Sequence, residues 1–104
     1  MQIQIHSDKT IEGGERLHAY MSTELETALS RFDEKITSIE VQLGDENGDK
    51  FDDKDKRCMI EVRLAGLNPL AVTNFSDTNE KAFHGAVDKL KRLLATSFEK
   101  MRNH

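Results

Sequence analysis

The C-terminal quarter of the chain has the least freedom in what it can fold into. Phe83, Ala86, Val87, Leu90, Leu94, Phe98 and Met101 recur at steps of three and four residues, the spacing that lines side chains along one stripe of an α-helix. No glycine interrupts the run after Gly85. Asp77, followed three residues later by Glu80, predicts a capping-box variant at the start of this helix. A helix with one apolar stripe must lie on a matching apolar face, so the rest of the chain has to supply one.

The remaining periodicity is mostly of period two. Residues 1–6 (MQIQIH) alternate apolar and polar, as do Ile39, Val41 and Leu43 with Glu40 and Gln42, and Ile60, Val62 and Leu64 with Glu61 and Arg63. Alternation of this kind marks half-buried strands. The turn-like Ala65-Gly66-Leu67-Asn68-Pro69 leads into a fourth strand expected over residues 69–75. Between the first two strands, consecutive glycines Gly13 and Gly14 mark a turn. Leu17, Met21, Leu25, Ala28, Leu29 and Phe32 then predict an amphipathic helix over residues 15–33. The order is β-α-β-β-β-α. Two one-faced helices and one sheet imply an α+β two-layer sandwich, a four-stranded sheet with both helices on one face.

With 104 residues, the chain is expected to form one domain over 1–104. A net charge of −4 argues against a generic nucleic-acid coat. The single cysteine, Cys58, cannot form an internal disulfide, which fits a reducing, cytoplasmic setting. No apolar run approaches the ~18–20 residues that span a bilayer, and the first ten residues lack the pattern of a signal peptide. No membrane association is expected.

Signs of catalysis or metal binding are sparse. Residues 44–57 (GDENGDKFDDKDKR) hold hard oxygen donors in Asp45, Asn47, Asp49, Asp52, Asp53 and Asp55. An EF-hand counted from Asp45 would need Gly at position six and Glu at twelve, but those places hold Lys50 and Lys56. A solvated hairpin loop is the simpler expectation. Cys58 has no neighbouring base in sequence, and His6, His18, His84 and His104 show no metal-ligand spacing. Phosphate-cradling and nucleophile-elbow motifs are missing as well. The expectation is a non-enzyme with no cofactor, no metal and no small-molecule substrate.

Charge is more informative in its distribution than in its total. Residues 81–104 carry Lys81, Lys89, Lys91, Arg92, Lys100 and Arg102 against Asp88 and Glu99, a net of +4, which leaves −8 of the total −4 on residues 1–80. On a helix, Lys81 and Arg92 fall in the middle of the polar stripe, Lys89 and Lys100 on one flank, and Lys91 and Arg102 on the other. Such residues either solubilise the helix and favour its C-terminal dipole, or form a basic ridge that tracks a phosphate backbone.

The run Ala82-Phe83-x-Gly85-x-Val87-Asp88-Lys89-Leu90-x-Arg92-x-Leu94, the opening strand of residues 1–5, Arg31-Phe32-Asp33 and Lys100-Met101-Arg102 resemble the ribosome hibernation-promoting factor / ribosome-associated inhibitor A family. The resemblance spans nearly the whole chain. It implies two parallel helices on a four-stranded sheet, as in double-stranded-RNA-binding domains, with no catalytic activity and no cofactor. It also implies a stress-response role: occupying the mRNA and tRNA channel of the small ribosomal subunit and contacting its rRNA. Carried onto this chain, that rRNA surface comprises Lys89, Arg92, Lys100 and Arg102, with Lys81 and Lys91 as neighbours. Members of the family usually place lysines along the first helix. Here that helix offers Arg16 and Arg31 among Glu24, Glu26 and Thr27. The sequence has no counterpart of the linker and second domain of long-form members, so dimerisation through such a domain is not expected. The acidic first helix leaves an alternative open: a non-catalytic protein-interaction or stress-regulatory module on the same scaffold, without rRNA contact.

Overall fold

A computed structural model describes residues 1–7, 14–45 and 56–102, with the side chains of residues 101 and 102 left undescribed. The elements are β1 (Gln2–Ser7), α1 (Gly14–Ala28), a 3-10 turn (Ser30–Phe32), β2 (Ile36–Asp45), β3 (Lys56–Leu64), β4 (Leu70–Ser76) and α2 (Asn79–Arg102). The architecture is the expected α+β order, β-α-β-β-β-α. The strands lie in the order β1-β2-β3-β4, with β1 parallel to β2 and the other pairings antiparallel. Each helix returns the chain against the direction of the strand before it. Because β1 and β4 point the same way, α1 and α2 run parallel.

Alternation selects the buried face. Ile39, Val41 and Leu43 of β2 and Cys58, Ile60, Val62 and Leu64 of β3 point under the helices, which contribute Met21, Leu25, Phe83, Ala86, Leu90 and Leu94 to the same core. Ile36 is buried too, although it lies three residues before Ile39. A bulge between Ile36 and Ser38 adds one residue and restores the phase. The extra residue, Thr37, donates its hydroxyl to the Arg63 carbonyl at 3.1 Å.

Four local expectations are corrected. The first helix does not continue to Asp33. Leu29 leaves helical geometry (φ −108°, ψ 14°) and the chain tightens into the 3-10 turn, with Phe32 N–H donating to the Leu29 carbonyl at 2.9 Å. The tighter winding ends α1 and swings the chain back toward β2. The acidic loop is shorter than residues 44–57, because Gly44, Asp45, Lys56 and Arg57 continue the β2–β3 ladder. There Lys56 meets Asp45 at 2.8 Å; residues 46–55 lie outside the described chain. The fourth strand begins at Leu70, because Pro69 has no N–H to give a ladder. The fourth correction is at α2, whose cap is Thr78 rather than Asp77: the Thr78 hydroxyl accepts the Lys81 N–H at 3.1 Å.

Gly66, with φ +76°, occupies the third position of the β3–β4 turn, where a left-handed residue is required. Gly85 serves a different purpose. Asn74 points inward from β4 and donates to the Ala82 carbonyl at 3.1 Å, which brings its amide against Gly85. A methyl at residue 85 would fall 2.7 Å from Asn74 Cγ, so α2 sits this close to β4 only with glycine there.

Candidate nucleic-acid interface

The two helices border a cleft that a ring contact bridges toward each end. Near its start the Tyr20 hydroxyl of α1 and His84 Nε2 of α2 are hydrogen-bonded at 2.8 Å, with the rings edge-on and their centroids 6.0 Å apart. Glu24 lies one turn further along α1, and Glu80 one turn before His84. Partial desolvation first, then these two carboxylates, raise the pKa of the Tyr20 phenol. At the other end Phe32 stacks on Phe98 of α2, centroids 5.2 Å apart and planes 16° from parallel. The Arg31 guanidinium lies 4.5 Å above the Phe32 ring.

His84, Lys91 and Phe98 follow one another at intervals of seven. His84 and Phe98 both touch the α1 side, so Lys91, on the same helix flank, borders the cleft between them. The opposite flank faces the sheet edge: Lys89 donates to the Thr73 carbonyl of β4 at 2.9 Å. Lys100 lies on that flank three turns later. Lys81 pairs with Asp77 at 3.5 Å, four residues back. Among the described residues, Lys91, Arg92 and Lys100 are exposed and have no ion-pair partner. Arg102 closes α2.

Arg31, beside Phe32, and Lys100 lie toward the Phe98 end of the helical layer, whereas Lys91 and Arg92 lie midway along α2, one turn after Asp88. The structure holds Lys81 and Lys89 with partners and leaves Arg16 at the far end, in the first turn of α1. Sequence reasoning missed Tyr20 and His84 as the join between helices. Neither has a local signal, because their 64-residue separation is closed only by packing.

Elsewhere the polar side chains serve the fold. His18 Nε2 and the Ser7 hydroxyl lie 3.0 Å apart, tying α1 to β1, and His6 Nε2 meets Glu40 at 3.1 Å on the open sheet face. Cys58 is fully buried, and burial pushes its thiol up to about 12. It is a core residue. Among the described residues no group of three or more His, Cys, Asp or Glu could hold a metal ion. None of the described helices is long and apolar enough to cross a membrane.

The family model described as sigma 54 modulation protein / S30EA ribosomal protein matches residues 3–102. The chain belongs to that family. Membership puts this S30EA-family chain among ribosome-associated proteins. Among curated proteins no sequence matches it. The fold is shared with the N-terminal domain of Protein Y from Thermus thermophilus, with TM-score 0.70 and 21% identity over 89% of this chain and 94% of that one. It is also shared with a ribosomal subunit interface protein from Coxiella burnetii, with TM-score 0.69 and 19% identity over 95% of this chain and 99% of that one. At such identities the likeness is one of fold.

Proposed function

We propose that this S30EA-family chain is a hibernation-type translation regulator that binds rRNA of the small ribosomal subunit through the C-terminal half of α2. One observation carries the reading. Lys91, Arg92 and Lys100 are exposed on one helix without carboxylate partners among the described residues, and Arg31 lies over Phe32, which stacks on Phe98 of that helix. A paired ammonium has already given up part of its charge to its neighbour. An unpaired one can displace counterions from phosphate, which drives association with nucleic acid. Arg102, by its place in the last turn, extends the series, while Lys81, Lys89 and Arg16 serve as peripheral contacts. The parallel helix pair supplies the shape by which a groove-bearing RNA is recognised.

Sedimentation of cell lysate on sucrose gradients at low and moderate salt tests the proposal. The chain should travel with ribosomal fractions at low salt, and Lys91→Glu with Arg92→Glu should release it while leaving the circular dichroism spectrum unchanged. Absence from those fractions at both salts, or unaltered binding by the double variant, rejects it. Retention of a partner after nuclease treatment would instead favour the protein-interaction reading, which Glu24 and Glu26 of the first helix motivate.

A further inference from the structure

The strand order β1-β2-β3-β4 leaves β4 at one edge of the sheet, with a line of backbone N–H and C=O groups facing away from β3. Thr73 lies in that line, because its carbonyl accepts the Lys89 ammonium of α2 at 2.9 Å. In an antiparallel ladder the outward phase repeats at every second residue, so Ala71 and Phe75 share it. The strand itself suits a partner. Residues 70–76 (LAVTNFS) carry no charge and no proline, and their register with β3 is unbroken. Phe75, opposite Arg57 on the sheet face turned away from the helices, is 47% exposed. An uncharged, regular edge is a template for another strand, and a lysine set against it is one of the means by which proteins block such edges.

The edge is complementary to itself. Antiparallel pairing about a two-fold axis at Thr73 sets Thr73 against Thr73 of a second copy, and Ala71 against Phe75 of that copy. All three outward positions then meet outward positions, so each free N–H finds a carbonyl opposite. On the open sheet face the same register lays the large Phe75 ring beside the small Ala71 of the second copy, as a cross-strand pair. Such an interface is isologous and closes at two copies. Lys89 opposes it in two ways. Its ammonium occupies the central carbonyl, and the two-fold axis would bring two such ammonium groups together. We propose that β4 is a self-pairing edge for a second copy of this chain, and that Lys89 holds it shut and keeps the chain monomeric. One strand edge buries less than the ~1,200 Å² of a standard interface, so the unguarded dimer is a weak one. The inference rests on the fold and the Lys89 contact, not on the rRNA reading.

Sedimentation equilibrium of the purified protein, from micromolar to millimolar chain, reads the association. The parent should remain a monomer. Lys89→Ala should self-associate about tenfold more tightly, the effect of freeing one backbone acceptor and removing one like-charge contact. Lys89→Arg, which keeps both the donor and the charge, should stay monomeric. Adding Thr73→Pro to Lys89→Ala should restore the monomer, because the N–H it removes faces outward and the ladder to β3 is kept. Ala71→Lys in the same background alters only an exposed side chain and should weaken the dimer as well. Circular dichroism identifies the variants that are folded. The proposal is overturned if Lys89→Ala is as monomeric as the parent, if the parent associates as tightly as Lys89→Ala, or if the dimer survives the folded edge variants undiminished. None of these outcomes bears on ribosome sedimentation of Lys91→Glu with Arg92→Glu, so the two readings fail separately.

Discussion

At the level of single residues, the contact between Asn74 and Gly85 decides how closely α2 approaches the sheet. On an exposed helix Gly→Ala stabilises by up to ~1 kcal/mol. Here the added methyl would strike the Asn74 amide and endanger its bond to Ala82. Overpacking of ~1–3 kcal/mol outweighs the propensity gain. Gly85→Ala should therefore lower the urea midpoint, and adding Asn74→Ala should recover part of the loss. Recovery would not follow if the glycine mattered only for backbone freedom. Cys58 makes a second prediction. Its folded pKa is raised from 9.0 to about 12, so the native state keeps a proton that the unfolded chain gives up near 9. That part of the stability is complete below pH 9 and declines as pH rises toward 12, by up to ~1.4 kcal/mol per pH unit. Comparing denaturation of the parent and Cys58→Ala across this window should isolate the term. A thiol reagent at pH 8 should react with Cys58 only after unfolding.

At the level of elements, the ends of α1 and α2 show why local motifs mislead. Asp77 and Glu80 have the spacing of a capping box, yet Thr78 makes the bond to Lys81 N–H. Asp77 is engaged elsewhere: its carboxyl is held below the usual carboxylate range, first by the Ser76 hydroxyl and then by Lys81. Thr78→Ala should cost about 1 kcal/mol of stability, the usual scale of a lost N-cap. Asp77→Ala should cost less, and thermal melts of the two variants would decide the order. The 3-10 turn after α1 has a comparable origin. Leu17 to Phe32 keep a helical rhythm in sequence, but the chain must reverse to enter β2 beside β1, and Phe32 meets Phe98 from within the tighter turn. Lys89 illustrates a third effect. Its family match invites an RNA role, whereas its bond to Thr73 O covers part of the open edge of β4.

At the level of the whole molecule, cations and carboxylates are interspersed along the helices. Lys91, Arg92 and Lys100 lie in the second half of α2 together with Glu99, while Glu80 and Asp88 share the first half with Lys81, and Glu24 shares α1 with Arg16. Association with ribosomes should fall steeply with added salt. Each phosphate contact contributes ~0.7–0.9 to the slope of log affinity against log salt, so Lys91→Glu with Arg92→Glu should reduce that slope by roughly 1.4 to 1.8. Binding insensitive to salt would contradict phosphate contact. The proposed rRNA contact does not require a positive chain, because affinity depends on the local field at the contact and not on the total of −4.

The sequence alone determined the succession of elements, the inward strand residues from Ile39 to Val62, and the apolar stripe of α2. These depend on side-chain period, which is written locally. It also exposed the excess of cations after residue 80. Tertiary structure alone decided that Lys89 is engaged, because Thr73 reaches it only across the helix–sheet interface, whereas the Lys81–Asp77 pair is local. The join of Tyr20 to His84 and the clash that keeps Gly85 a glycine arise in the same way. Each depends on groups brought together by chain reversal, and no one-dimensional pattern records a distance.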